Sequence, residues 1–243
     1  MLRKAFSLAR WHHVRWLKQA LKGTSGKLLD IGAGKGETVR EALKTRGDLK
    51  LVTMDVERKK DWQIDVIADG RDLPMKDKEF DGVMILDVLE HVKGPEKVVR
   101  EAARVLKKQG WLHVVVPLEG SWWVIDWWLK KIKKIDWKEK IIGHINHFNL
   151  KEVKQLLEEN GFKIKWVRYS HHWGYQLATL IYFKYLDSLP KKELKPKKGF
   201  WLPVPWMVRV GVVLFGWLTV LESLVLSRIP GGEAHITAKK KED

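Results

Sequence analysis

Apolar positions fall into two alternating rhythms along this chain. Leu2, Phe6, Ala9, His13, Trp16 and Ala20 recur near helical spacing and predict an amphipathic helix over the first twenty residues, ending near Gly23. A short apolar strand then runs from Leu28 into a glycine-rich turn, and Glu37 to Thr45 reads as helix. Leu49 to Met54 is a second strand, ending at Asp55, and Asp65 to Ala68 a third, closed by Asp69 and Gly70. Val83 to Leu86 is an unbroken apolar run, as expected of a strand buried on both faces of a parallel sheet. Val98 to Leu106 has helical spacing with Gly110 as its stop, and Trp111 to Val116 is the next strand, ended by Pro117. Strand and helix alternate throughout, which argues for a parallel sheet wrapped by helices on both faces.

The later half keeps the rhythm only in part. Asn149 to Asn160 predicts a helix with Asn149 as cap, Glu152 completing a capping box and Gly161 following as the C′ glycine. Phe162 to Tyr169 alternates as a strand does, and Ala234 to Ala238 is the remaining strand candidate. Residues 171–232 intervene and are rich in apolar side chains, yet their uncharged run from Val210 to Leu221 is shorter than the roughly 18 residues of a spanning helix. Tyr175 to Leu189 holds Lys184 and Asp187 and is a poor second span. If the two flanking strands pair in one sheet, the insertion must leave and return on one side of any membrane. A helical hairpin dipping into one leaflet is therefore expected, with Trp201, Trp206 and Trp217 at the interface and Lys191 to Lys198 facing anionic headgroups. A dimerisation hairpin is the alternative. Ser121 to Ile142 reads as one interfacial helix, with Ile125, Trp128, Ile132 and Ile135 on one side and Lys130, Lys131, Lys133 and Lys134 on the other.

Length and composition narrow the choices. A chain of 243 residues, 45% hydrophobic, suits one domain with an insertion. Three segments are expected: residues 1–25 as a lid helix, 26–170 with 233–243 as the main domain, and 171–232 as the apolar insertion. The absence of cysteine excludes disulfides, thiolate metal sites and cysteine nucleophiles, and fits a reducing cytoplasm. The N-terminal segment lacks the apolar core of a secretory signal. Abundant Lys and Glu with sparse Asn and Gln points to a thermophilic source. A formal charge of +16 implies an anionic partner, either a membrane surface or nucleic acid, and the 14 tryptophans favour the membrane interface.

The chemistry is concentrated in LLDIGAGKGE, residues 28–37. Glycines at alternate positions, Gly32, Gly34 and Gly36, follow Asp30 where the chain leaves a strand, as a loop that cradles a nucleotide cofactor requires. The dinucleotide fingerprint G-x-G-x-x-G would place its last glycine at Glu37, whose charge would repel a pyrophosphate at the helix N-terminus. Asp30 suits a ligand carrying an ammonium group. Asp55, about twenty residues on, stands where a strand-end carboxylate accepts ribose hydroxyls.

D-x-G-x-G-x-G, together with Asp55 and the segment ADGRDLPMKDKEFDGV, resembles the class I S-adenosylmethionine (SAM) methyltransferases from Leu28 to Leu118, and more loosely outside it. The resemblance implies a Rossmann-like, mainly parallel seven-stranded sheet with helices on both faces, whose last two strands are antiparallel neighbours; here the apolar helical insertion would separate them. It implies SAM as cofactor, held by Asp30, Gly32, Ala33, Gly34, Asp55 and Val56, with Asp69 accepting the adenine amine, Gly70 letting backbone approach the ring, and Asp87 shaping the cofactor end of the pocket. His91, in DVLEHV at a strand carboxyl edge, and His147, in GHINHF, are the catalytic base candidates; either can instead be a structural histidine. His144 and His147 are spaced for a metal, but no third ligand stands near them in sequence, so no metal is expected. The pairs His12–His13 and His171–His172 carry no functional assignment, since adjacent side chains diverge on a helix or strand. The expected activity is methyl transfer to a lipid-linked or membrane-partitioned acceptor by a protein peripheral at the inner face of the cell membrane. The alternatives are a methyltransferase for RNA or protein, and a membrane scaffold that keeps SAM without turnover.

Overall fold

The computed structural model describes residues 2–134, 137–188 and 217–241. Its strands are β1 Gly26–Ile31, β2 Leu49–Asp55, β3 Val66–Ile67, β4 Phe80–Leu86, β5 Leu106–Pro117, β6 Phe162–Ser170 and β7 Glu233–Lys240. Its helices are α1 Leu2–Ala20, α2 Glu37–Leu43, α3 Pro95–Val105, α4 Ile125–Lys133, α5 Trp137–Ile142, α6 Leu150–Glu159, α7 Trp173–Ser188 and α8, residues 217–225. The strands form one sheet in the order β3-β2-β1-β4-β5-β7-β6. The first five run parallel, and β7 is antiparallel to both of its neighbours.

Side-chain alternation along the central strands divides the core into two layers. Leu29, Ile31 and Ile85 join Val98, Val99 and Leu157 on one face. Leu28, Met84 and Trp111 meet Leu17, Leu21 and Val39 of α1 and α2 on the other. Adjacent residues such as Leu28 and Leu29 thus serve opposite layers, which explains why these strands are apolar throughout rather than alternating.

Several boundaries move for local reasons. α3 starts at Pro95, whose missing N–H costs nothing at a helix N-terminus, after Gly94 at φ 77. It ends at Val105, not at Gly110: Leu106 is already extended at ψ 135 and pairs with Phe80, so β5 begins there and bulges before Trp111. β4 likewise begins at Phe80 and β7 at Glu233. The capping box of Asn149 and Glu152 forms as expected, and Gly161 takes φ 84 behind α6. Ser121 to Ile142 is not one helix. Lys134 enters the left-handed region at φ 54 and closes α4, and α5 begins separately at Trp137. Ile135, Lys191 to Lys198, Trp201 and Trp206 lie outside the described residues.

Topology fixes where the insertion emerges. Ser170 and Glu233 are register partners, so residues 171–232 leave β6 and return to β7 at one edge. That edge also receives the carboxyl ends of β1, β2, β4 and β5. No helix among the described residues is long and apolar enough to cross a membrane.

Candidate active site

The glycine loop turns off the end of β1. Gly32 and Ala33 donate backbone N–H groups to the Met54 carbonyl at 2.8 and 2.9 Å, which docks the loop on β2. Gly32 sits at φ 72, and a Cβ there would meet Val88 Cγ2 at 2.4 Å. Gly34, at φ 54, has no heavy atom within 4 Å of its missing Cβ, leaving backbone open to a ligand. Its N–H donates to Asp55 Oδ2 at 2.8 Å.

A cleft of about 440 Å³ opens beside this loop. Gly32, Asp55 and Val56 line one wall, Asp69 and Gly70 another, and Asp87 and His91 the end. Asp87 adopts φ 53, a conformation non-glycine residues rarely take and one that clusters at functional sites. Asp30 stands behind the loop, 2% exposed, its carboxyl pushed up to about 7 by burial and by Asp55, against the pull of Arg40. Open backbone at Gly34 and the carboxylates of Asp55, Asp69 and Asp87 along one cleft fit SAM, which carries ribose hydroxyls, an ammonium and a sulfonium. Asp69 departs from the free acceptor expected: Arg71 grips its carboxylate at 2.6 Å, and those hydrogen bonds hold its pKa below the usual range. Gly70 serves packing as well as access, since a Cβ there would stand 3.1 Å from Ile31 Cγ2.

Beyond Asp87, the segment Leu89–His91 is a single 3₁₀ turn onto which the GHINHF loop is bolted. The Glu90 carbonyl accepts from Ile145 and Asn146 N–H groups at 2.8 and 3.0 Å, and the Asn146 amide reaches the Leu89 and Val92 carbonyls. His91 Nδ1 meets the Gly143 carbonyl at 3.1 Å, which places the proton on Nδ1 and the lone pair on Nε2. Burial lowers its pKa, so the ring is neutral near pH 7. His144 packs edge-on to it at 4.7 Å. The pair His144–His147, spaced for a metal in sequence, gains no third ligand among the described residues; His144 instead lies with Glu90 and His91, their ligating atoms within 4.8 Å of one another, while His147 turns to Glu119.

His147 does not line the cleft. Its Nδ1 faces Glu119 Oε2 at 3.1 Å, while His144 Nδ1 and Lys138 Nζ meet Oε1 of the same carboxylate, each at 2.8 Å. Burial opposes the charge on Glu119, yet Lys138 and the two histidines hold it far below the usual carboxylate range. Sequence reasoning missed Glu119 and Lys138. Glu119 follows the β5 carboxyl end by two residues, where open α/β sheets gather functional groups, and that position was its signal.

A sheet of this order, with a glycine loop after β1, an acid at the end of β2 and a cleft at the carboxyl edge, defines a class I SAM-dependent methyltransferase. The chain belongs to the methyltransferase-domain family, whose model matches residues 1–165. It is 33% identical over 176 residues to an uncharacterised protein of Methanocaldococcus jannaschii, covering 72% of this chain and 77% of that one. A ubiquinone biosynthesis O-methyltransferase of Dechloromonas aromatica is 32% identical over 111 residues, 40% of this chain and 47% of that protein. The structure of a SAM-dependent methyltransferase from Archaeoglobus fulgidus shares the fold at TM-score 0.56 and 20% identity, over 96% and 94% of the two chains.

Proposed function

We propose that this SAM-dependent methyltransferase acts on a lipid-linked or membrane-partitioned small acceptor, such as a quinone precursor, an isoprenoid or a lipid headgroup, while seated on an anionic membrane surface. The observation that carries this reading is the inverted pattern of α8. Thr219 and Ser223 point inward beside Val220, Ser223 only 1% exposed, while Trp217, Leu221 and Val225 recur at i, i+4, i+8 on the outer face, Val225 82% exposed. Trp173, Leu177 and Ile181 form the same outward stripe on α7, and Trp128 with Ile132 on α4. A water-facing helix reverses this arrangement, whereas a surface that meets lipid requires it. All three helices adjoin the carboxyl edge that holds the cleft, so an acceptor entering from a bilayer would reach the methyl donor without crossing water. The named ubiquinone relative supports the quinone-like class.

SAM supplies a methyl group on a sulfonium that is already a good leaving group, so alignment is the larger part of the task. In this reading Asp30 pairs with the ammonium, Gly32, Ala33 and Gly34 pass close beneath the cofactor, and Asp55 accepts the ribose hydroxyls beside Val56. Asp69, shared with Arg71, and Gly70 meet the adenine, and Asp87 closes the cofactor end. His91 Nε2 takes the acceptor's proton. His147, turned to Glu119, supports the acceptor loop.

Flotation with vesicles containing anionic lipid tests the reading. The wild type should float, and the triple variant Ile181→Ser, Leu221→Ser, Val225→Ser, altered only at exposed positions, should not. Undiminished flotation of the variant, or a wild type that stays at the bottom and sediments as a dimer through this surface, would overturn it.

A further inference from the structure

Five histidines and a glutamate meet beneath α1, and the chemistry above uses none of them. Strand geometry supplies half of the group: Glu233, His235 and Thr237 alternate along β7 and share one face. His113 of β5 stands opposite Thr237, its Nδ1 2.8 Å from Oγ1, and Ser170 is the β6 partner of Glu233. α1 closes over that face with His12 and His13, and the turn leaving β6 adds His171 at φ 56. Adjacent side chains do diverge, but α1 and β7 are close enough that His13 and His171 both arrive at one carboxylate. Glu233 is 3% exposed. Its Oε2 faces His13 Nε2 at 3.1 Å, His235 Nε2 at 3.1 Å and the Ser170 hydroxyl, and its Oε1 faces His171 Nδ1 at 3.3 Å.

Folding gives no reason for this composition, because Ala234, Ile236 and Ala238 fill the opposite face of the same strand at no desolvation cost. Hydrogen bonding does not close the account either. His235 Nε2 lies 2.9 Å from the Ser170 hydroxyl, which itself donates to Glu233, yet the His171 Nε2 and His235 Nδ1 atoms are buried without a hydrogen-bond partner among the described residues. The ligating atoms of His13, Glu233 and His235 lie within 4.8 Å of one another.

We infer that His13, Glu233 and His235 bind a first-row divalent metal ion of the zinc class, clamping α1 onto the sheet. Bonds of about 2.0–2.1 Å to a tetrahedral ion set ligand atoms about 3.3 Å apart, close to the 3.1 Å that separates Glu233 Oε2 from His13 Nε2 and from His235 Nε2. Imidazoles with one carboxylate select zinc and its neighbours over magnesium and calcium, which take oxygen ligands. On binding, the ion displaces to solvent the proton between His13 Nε2 and Glu233, and His235 carries its remaining proton on Nδ1. His13 Nδ1 then faces Asp87 Oδ2, 3.6 Å away in this structure, so a carboxylate at the end of the SAM cleft orients a ligand of the clamp.

Titration of the metal-stripped protein with Co²⁺ tests the site. The wild type should bind one equivalent, show the intense visible absorption of tetrahedral cobalt and gain thermal stability. Glu233→Gln and His235→Asn should lose the spectrum, while His91→Ala, in the other histidine and carboxylate group, should keep it. A wild type that takes up no cobalt overturns the inference, as does a spectrum that survives Glu233→Gln or vanishes in His91→Ala. Paramagnetic broadening in the wild type covers variants that fail to fold: it should strike the ring signals of His13 and His235, and broadening confined to His91 and His144 overturns the assignment.

Discussion

The Gly34 N–H donates to Asp55 Oδ2 across 2.8 Å, joining the loop after β1 to the end of β2. One lone pair of the carboxylate thus shapes the loop, and the others remain to read a ribose. Hydrogen bonds to a charged group are worth about 1.5–3 kcal/mol each, so Asp55→Ala should weaken SAM binding by about 100-fold. Calorimetry checks this, and unchanged affinity would refute the ribose assignment.

Asp30 makes the apoprotein sensitive to pH in a direction opposite to that of a paired carboxylate. Its folded pKa, about 7, lies above the ordinary 3.8 because burial disfavours the charge. The stability it contributes is present below the unfolded value and is lost as pH rises through about 7, by up to about 4 kcal/mol. The apoprotein's stability in urea should therefore fall between pH 4 and 7, Asp30→Asn should flatten that dependence, and SAM should restore more stability to the wild type than to the variant. A wild type whose unfolding midpoint does not change over this range would show that the carboxylate is charged and satisfied without the cofactor.

The parts of this architecture that local chemistry dictates were legible in the chain. The Asn149 cap, the turn at Gly32 and the acids ending β1 and β2 depend on residues within a turn or a strand of each other. So did the placement of DVLEHV, because an unbroken apolar run announces a buried strand and the next residues must leave it. What escaped detection depends on distant partners. Lys138 joins a run of lysines that looks uniformly solvated, yet it is the one drawn inward, to Glu119 and Asp126. The inward Thr219 and Ser223 of α8 face His172 and its neighbours, and only that contact reveals that the apolar side is the outer one.

His91 is held ready rather than buried away. With Nδ1 committed to the Gly143 carbonyl and burial lowering its pKa, Nε2 is unprotonated near neutrality and lies at the cleft. General base catalysis contributes typically 10²–10⁴-fold, so His91→Ala should lower turnover by about 100-fold or more while SAM affinity stays within about 2-fold. The loss should shrink as pH rises towards the acceptor's own pKa. Full activity of the variant at pH 7 would leave the ring a purely structural role.

Glu119 ties the Trp-rich segment to the GHINHF loop, since α5 reaches it through Lys138 and GHINHF through His144 and His147. Removing one member of a buried ion pair leaves the other charged and unsolvated, which costs about 3–5 kcal/mol, far more than the pair's net worth. Glu119→Gln should accordingly destabilise the fold by about 3 kcal/mol, even though its shape is kept. Because the folded pKa of Glu119 is depressed, the wild type's advantage should be present above pH 4.5 and fade as pH falls below it. The double variant Glu119→Gln, Lys138→Met removes the stranded charge and should recover most of the loss in chemical denaturation. If the double variant is instead as unstable as Glu119→Gln alone, the cost lies with the two histidines, and the tie between Glu119 and the GHINHF loop outweighs its pairing with α5.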